Sequence, residues 1–243
     1  FVRGTTNTLP VLVCVVAACA AIFANFTPFH DATHKSISRT GWLTEVIGRA
    51  LSLFWLVPFP VMRFVHLEHH RFTNEKEKDP DYWSGTGSSF LLPIRWLTQD
   101  LHYCTFYLKR IRSRPRTEVF EFLLTNILFM TVFGAFIWFG YLSELLLFGL
   151  LPNRLAVLFL AYTFDYLPHN PHEITSKEDP YRATKLRPVG LLTPLLLYQN
   201  YHLIHHLFPA VPFYRYSKVW RERKEILIDK GAEVVDLFGR RMG

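Results

Sequence analysis

"LPVLVCVVAACAAIFANFTPFHDATH", residues 9–34, joins an uncharged apolar run to two histidines. About 20 apolar residues are enough for a helix to cross a bilayer, and residues 9–29 contain no charged side chain. His30 and His34 follow directly, and a separation of four positions places both imidazoles on one face of a helix. The stretch therefore predicts a membrane-spanning helix that carries imidazoles at its end rather than in its middle.

Two later stretches are also apolar enough to cross a bilayer. Residues 122–143 contain no charge, which predicts a second span over about residues 120–141. Residues 145–167 are apolar but interrupted near Pro152, and we interpret them as a return span. The turn that precedes this span lies either at residues 140–143 or nearer to Pro152, and the sequence leaves both open.

The remaining segments indicate pieces that lie at the membrane surface. Residues 42–65 and 188–201 contain prolines and, in the first case, charges, so they favour re-entrant or interfacial segments. Residues 90–108 resemble a surface helix, and residues 218–243 form a charged tail. We therefore predict an all-α integral-membrane helical bundle with a histidine-rich di-metal cap, in a single domain over residues 1–243.

Charge predicts the orientation of this bundle. The chain has 27 Lys and Arg against 20 Asp and Glu, while half of its residues are hydrophobic. If the three segments span, every basic residue except Arg3 and Arg154 falls on the side that carries the histidines, which predicts a cytoplasmic or stromal side. An odd number of spans places the N-terminus outside, unless another helix precedes it. Long uncharged runs argue against a nucleic-acid partner and for membrane lipid.

Ten of the 11 histidines fall in four clusters near the ends of apolar segments. The clusters are HDATH (His30 and His34), HLEHH (His66, His69 and His70), HNPH (His169 and His172) and HLIHH (His202, His205 and His206). Separations of three and four positions share a helix face, so each HxxHH cluster predicts three imidazoles directed at one point. Imidazole binds iron, zinc, copper and nickel, and eight to ten imidazoles suit two ions rather than one. His102 stands alone and predicts an ordinary packed histidine.

Two other functions compete with a catalytic centre. A metal transporter needs ionisable ligands near the middle of its spans, whereas the predicted spans contain no histidine. A structural zinc site needs three or four ligands, far fewer than ten. Both alternatives fit the histidine pattern less well than a catalytic pair of ions.

Polar side chains close to the histidines are candidates for orienting them. A metal-binding imidazole usually donates its second N–H to a carboxylate or a carbonyl. The candidates are Asp31, Asp165 and Asn200, together with Glu68, Asp79, Asp81 and Glu173. For Asn200 the pattern leaves open whether it holds a ligand water or caps the helix that follows.

HDATH, HLEHH and HLIHH resemble the three histidine boxes of the integral-membrane fatty acid desaturase/hydroxylase superfamily, over roughly residues 20–220. The flanking stretches PFPVMRFVHLEHHRFTNEKEKDPDYW (58–83), YLPHNPH (166–172) and QNYHLIHHLFPAVPFYRY (199–216) are similar to the desaturase-like β-carotene hydroxylases. The 4-ketolases of carotenoids share several of these features, and the acyl desaturases share the boxes. These alternatives remain open.

The resemblance implies a non-haem di-iron enzyme that uses O2 and an external electron donor. It implies metal ligands at His30, His34, His66, His69, His70, His202, His205 and His206, with a ninth at His169 or His172. We favour His169, which ends the YLPH motif. The resemblance further implies hydroxylation of the β-ionone ring of β-carotene at carbon 3, to zeaxanthin.

An apolar substrate reaches such a site from the bilayer, so apolar residues near the boxes are candidates for its groove. They are Phe29, Phe59, Tyr166 and Tyr201, and further Phe26, Leu56, Tyr162 and Leu197. An acidic, ferredoxin-like donor suits basic surfaces. These lie at Lys109, Arg110, Arg112, Arg114 and Arg116 and at residues 215–224, although anionic lipid also binds such surfaces.

Overall fold

The computed structural model describes the backbone of residues 8–242 and the side chains of residues 10–242, and it is mostly helical. The α-helices are α1 (Thr8–Ala24), α2 (Phe26–Thr33), α3 (Gly41–Trp55), α4 (Phe59–Phe72), α5 (Leu92–Leu97), α6 (Gln99–Leu108), α7 (Arg116–Trp138), α8 (Leu142–Glu144), α9 (Leu151–Leu160), α10 (His202–Leu207) and α11 (Tyr216–Asp229). π-Helical turns at Leu145–Leu150 and Ala161–Tyr166 extend α8 and α9 into one rod.

Three helical rods are long and apolar enough to cross a membrane. They cover Pro10–Thr33, Arg116–Trp138 and Leu142–Tyr166, and each begins or ends within a few residues of a predicted span. Helix α7 leaves almost its whole circumference exposed, as a lipid-facing helix does. The predicted all-α membrane bundle is therefore confirmed.

The turn between the second and third rods lies at Gly140, not at Pro152. Gly140 adopts a φ of +80°, which glycine accepts without steric cost. Pro152 lies inside the third rod, in the first turn of α9. Its missing N–H is tolerated there because the preceding turn is π-helical and already departs from the regular hydrogen-bond ladder.

Helices α3 and α4 form a sharply bent pair. Their axes meet at 96° around residues 56–58, where Leu56 is left-handed and Pro58 precedes α4. The pair is a broken span or a re-entrant loop, in keeping with the expectation for residues 42–65. The bend presents the HLEHH face of α4 to the end of the first rod, where α2 carries HDATH.

The second half of the chain closes over these helices. Helix α10 carries HLIHH and packs with α11 in a second apolar core. A short parallel pair, β1 (Lys185–Leu186) and β2 (Glu233–Val234), joins the C-terminal segment to the loop before α10. The charged tail predicted for residues 218–243 thus contains most of α11 and the strand β2 that pairs with β1.

Candidate metal centre

Nine imidazoles meet through their Nε2 atoms between α2, α4, α10 and the end of the third rod. Closest Nε2–Nε2 distances are 2.8 Å for His34–His66, 2.7 Å for His70–His205, 3.0 Å for His30–His205, 2.8 Å for His169–His202, 3.0 Å for His202–His206 and 3.2 Å for His69–His206. The four clusters thus form one assembly, although they are spread over 177 positions of sequence.

The nine imidazoles divide into two groups of possible ligands. The five-histidine group consists of His30, His34, His66, His70 and His205, and the four-histidine group of His69, His169, His202 and His206. Within each group the ligand atoms lie within 4.8 Å of one another. The prediction that each HxxHH cluster aims three imidazoles at one point is therefore wrong, because each cluster contributes to both groups.

Helix geometry explains this division. Successive residues turn by about 100° around a helix axis, so positions i and i+4 differ by about 40° and positions i+3 and i+4 by about 100°. His66 and His70 therefore point together, while His69 points to the other group. In HLIHH the same rule pairs His202 with His206 and turns His205 away. The spacing carried this information, which the simpler expectation of one shared face overlooked.

The spacing of the nitrogen atoms fits metal ions. Bonds of about 2.1 Å from one ion to several imidazoles place neighbouring nitrogens about 3 Å apart, as observed between these Nε2 atoms. Burial lowers the pKa of His202, His205 and His206 well below the usual value. Neutral imidazoles offer a lone pair to a metal ion, and these three rings include members of both groups.

Several Nδ1 atoms on the outside of the assembly have hydrogen-bond partners. With Nε2 directed inward, Nδ1 carries the proton and donates it outward. His69 donates to Asp79 Oδ1 (2.8 Å), and His205 lies 2.9 Å from the Tyr216 hydroxyl. Asp79 also accepts from the backbone N–H groups of Asn74 and Asp81, which holds its carboxylate in place. These contacts orient the two rings.

Three residues were the main candidates for orienting an imidazole, and their contacts in the structure differ. Asp31 lies at a long 3.4 Å from Nδ1 of His30 and accepts from the Phe213 N–H. Asp165 accepts from the Tyr103 hydroxyl (3.2 Å) and makes no hydrogen bond to an imidazole in residues 10–242. Asn200 donates to the Arg187 carbonyl and to Thr193 instead. Asn200 therefore stabilises the loop before α10. Its side chain does not cap α10 and makes no hydrogen bond to an imidazole in residues 10–242.

His169 and His172 differ in position. Nε2 of His169 belongs to the four-histidine group, whereas His172 belongs to neither group. The His172 ring lies beside Tyr82 and packs against Gly85, and burial lowers its pKa to about 4. We therefore leave His172 out of the candidate ligands. His102 stacks on Trp83, with ring centroids 4.5 Å apart, and also lies outside both groups.

A narrow apolar cleft with a cavity volume of about 30 Å³ reaches His66 from between the first and third rods. Its walls combine aliphatic side chains with five aromatic ones, Phe26, Phe29, Trp55, Tyr103 and Phe164. Of the four main candidates for substrate contact, Phe29 lines this cleft. Phe59 is buried in the same apolar core as Phe29 but does not line the cleft. Tyr201 lies in the second core, and Tyr166 packs on Trp96. The sequence offered no signal for Trp55 or Phe164 beyond their apolar character.

We predict that Asp79→Asn weakens metal binding. The asparagine amide is uncharged, so it accepts the hydrogen bond from His69 less strongly than the carboxylate does. Removal of such an outer partner typically lowers metal affinity by about 10–100-fold. Metal retention during dialysis against a chelator measures the effect. Glu68→Gln is the matched control, because Glu68 pairs with Arg71 and not with a histidine. Equal retention in both variants would contradict this role of Asp79.

The chain matches one protein family and is similar to several named proteins. The family described as fatty acid desaturase matches residues 6–238. The chain is 27% identical over 239 residues to the chloroplastic sn-2 acyl-lipid omega-3 desaturase (ferredoxin) of Helianthus annuus, covering 84% of this chain and 53% of that protein. It is 26% identical over 245 residues to the endoplasmic reticulum acyl-lipid omega-3 desaturase (cytochrome b5) of Arabidopsis thaliana, covering 87% and 63%.

A carotenoid enzyme is also among the relatives. The chain is 25% identical over 203 residues to zeaxanthin 4-ketolase of Chlamydomonas reinhardtii, covering 79% of this chain and 40% of that protein. The chain thus spans between 40% and 63% of the length of these three relatives. The membrane-capable rods, the nine converging imidazoles and the family match over residues 6–238 agree, and the chain belongs to the fatty acid desaturase family.

Proposed function

We propose that this protein hydroxylates the β-ionone ring of β-carotene at carbon 3, giving zeaxanthin, with two iron ions, O2 and an external electron donor. The observation that supports it best is the apolar, aromatic cleft that ends at His66 of the five-histidine group. Aromatic walls suit a conjugated ring, and the flanking motifs resemble those of carotenoid hydroxylases. We propose His30, His34, His66, His70 and His205 for one ion and His69, His169, His202 and His206 for the other.

The bound irons would activate O2 so that an unactivated C–H bond can be cleaved, which side chains alone cannot do. The side chains of this protein position the substrate, exclude water and supply protons. Phe29 and Phe164 hold an apolar ring beside His66 and exclude water. The outer contacts of His69 and His205 keep their Nε2 atoms directed inward.

A proton-holding group borders the cleft. The Tyr103 hydroxyl lies 2.7 Å from Asp81 Oδ1 and 3.2 Å from Asp165 Oδ2. The hydroxyl can donate its single proton to only one carboxyl oxygen at a time. Because two carboxyl oxygens lie close to it, one of the three groups must hold a second proton. Burial raises the pKa of Asp81 to about 6, which favours such a proton. Hydroxylation consumes protons, and Tyr103 and Asp165 both line the cleft where they are needed.

We predict that Tyr103→Phe slows turnover about 100-fold, the usual scale for loss of positioned proton transfer. The change removes the hydroxyl that links Asp81 to Asp165 but keeps the ring in the cleft wall. Product formed and O2 consumed are measured together, and we expect more O2 to be used per product. The control is Tyr107→Phe, on the same helix but outside this group. Equal product yield in the two variants would refute the proton-holding role.

An electron donor would dock on the groove beside Asp79, whose carboxylate contacts His69. Lys76, Lys109 and Arg110 line this groove against one exposed carboxylate, Glu77. The rim therefore carries a net positive charge, which suits an acidic, ferredoxin-like protein. Two relatives carry the words ferredoxin or cytochrome b5 in their names. Turnover with ferredoxin should fall as salt rises, and a rate insensitive to salt would count against docking here.

Expression in cells that accumulate β-carotene, followed by pigment and lipid analysis, tests the function. Zeaxanthin supports 3-hydroxylation, whereas canthaxanthin supports the 4-ketolase that one relative's name indicates. Unchanged pigment with altered acyl chains would overturn both and support the acyl desaturation named for other relatives. The basic residues on the histidine side support a cytoplasmic or stromal location of the centre.

A further inference from the structure

A second cavity, of about 320 Å³, lies behind the turn Ala161–Tyr166 and away from the aromatic cleft. Its walls are mostly apolar, with Tyr162, Leu167, Leu196 and Phe238. The size falls in the range of ordinary ligand sites. Nothing in the proposed hydroxylation uses this cavity.

One wall of this second cavity carries the guanidinium of Arg187. This residue is only 8% exposed, and its buried Nε atom has no hydrogen-bond partner within residues 10–242. Asp236, whose charge acts on Arg187, uses its Oδ1 to accept from the backbone N–H groups of Phe238 and Arg240. A buried cation is costly unless it is well paired, so an oxyanion in the cavity would stabilise Arg187 beyond the effect of Asp236.

Two amides next to Arg187 also contain atoms without a hydrogen-bond partner within residues 10–242. The Gln199 N–H groups need an acceptor, as Arg187 does, whereas the two amide oxygens need a donor. Gln199 is 4% exposed, and both of its amide atoms lack a hydrogen-bond partner in the described part of the chain. The Oδ1 atom of Asn200 also lacks one. Both residues line the same wall as Arg187. A ligand that brings oxygen atoms to this wall would satisfy Arg187 and the Gln199 amide N–H groups.

The outer rim of the cavity is apolar. Phe238 is 81% exposed, and Leu195, beside the lining residue Leu196, is 71% exposed. Exposed apolar residues around a polar wall indicate contact with lipid rather than with water. A ligand of this cavity therefore carries its oxygen atoms on a hydrocarbon body.

We propose that this cavity binds an amphiphile with an oxyanion head, its phosphate or carboxylate on Arg187 and Gln199 and its hydrocarbon along Leu167, Leu196 and Phe238. Guanidinium matches both oxyanions because it donates two parallel N–H groups. The site is separate from the metal centre and does not depend on the proposed hydroxylation.

Lipid retention by the full chain tests the proposal. The detergent-purified protein is titrated with phosphatidylglycerol, uncharged diacylglycerol, oleate or inorganic phosphate, and bound molecules are counted by native mass spectrometry. We expect wild type to retain phosphatidylglycerol or oleate at least about tenfold better than diacylglycerol, which has no oxyanion. Phosphatidylglycerol alone identifies phosphate as the head and oleate alone identifies carboxylate; both outcomes support the site. No preference, or binding of inorganic phosphate alone, overturns it.

Variants locate the binding. Arg187→Met keeps an unbranched side chain without its charge and should remove the preference, whereas Arg187→Lys should keep part of it. Gln199→Leu should weaken retention severalfold. Arg223→Met is the control, since Arg223 is exposed on α11. An undiminished preference in Arg187→Met would refute the assignment, and the measurement on wild type decides the question even if a variant fails to fold.

Discussion

Replacing His202 with alanine is expected to abolish turnover and to remove one of the two metal ions. Its Nε2 atom lies 2.8 Å from that of His169 and 3.0 Å from that of His206, in the centre of the four-histidine group. Loss of one imidazole leaves three in this group, against five in the other. Metal analysis of the purified protein should therefore fall from two ions to about one.

His205→Ala provides the complementary experiment. His205 belongs to the five-histidine group although it lies next to His206 in sequence. Its loss should weaken the metal of that group and leave the other ion bound. His102→Ala is the control, because His102 stacks on Trp83 outside both groups, and it should keep both metals and the activity. Full metal content and activity in His202→Ala would overturn the ligand assignment.

Ala161→Phe is expected to reduce turnover about 100-fold while both metals stay bound. Ala161 is fully buried and lines the aromatic cleft, so a phenyl ring at this position occupies the space of the substrate. Displacement of a substrate by about 1 Å lowers the reaction rate by about 100-fold. Product formation and metal content, measured on the same preparation, separate the loss of substrate access from the loss of metal.

Ala156→Phe is the matched control for this variant. Ala156 is equally buried on the same rod but does not line the cleft. Extra volume in a packed core costs about 1–3 kcal/mol at either position, so both variants share this destabilisation. If Ala156→Phe lost as much activity as Ala161→Phe, strain rather than a blocked cleft would explain the result.

The membrane rods could be predicted closely because hydropathy is a local property. Residues 9–29 and 120–141 correspond to rods that the structure places at Pro10–Thr33 and Arg116–Trp138. The sequence did not show that the turn lies at Gly140 rather than near Pro152. Proline is common both in loops and in the first turn of a helix, so Pro152 was compatible with either position.

The outer contacts of the imidazoles could be predicted only where they are close in sequence to a histidine. Asp79 follows His69 by ten positions and was among the candidates, whereas Tyr216 contacts His205 from another helix. Tyr216 lay inside the flanking motif QNYHLIHHLFPAVPFYRY, but no spacing rule assigns a hydroxyl there. Long-range contacts of this kind depend on how α10 packs against α11.

The sequence by itself determined the chemistry of the site and its place at the ends of apolar spans, because imidazole ligands and hydropathy are properties of single residues and short runs. Only the tertiary structure decided how nine imidazoles divide into five and four. It also separated His169 from His172 and placed the Nε atom of Arg187, which has no hydrogen-bond partner in residues 10–242, beside an apolar cavity. These features arise where distant helices meet, and the direction of each side chain there depends on rotations and distances that no single segment contains.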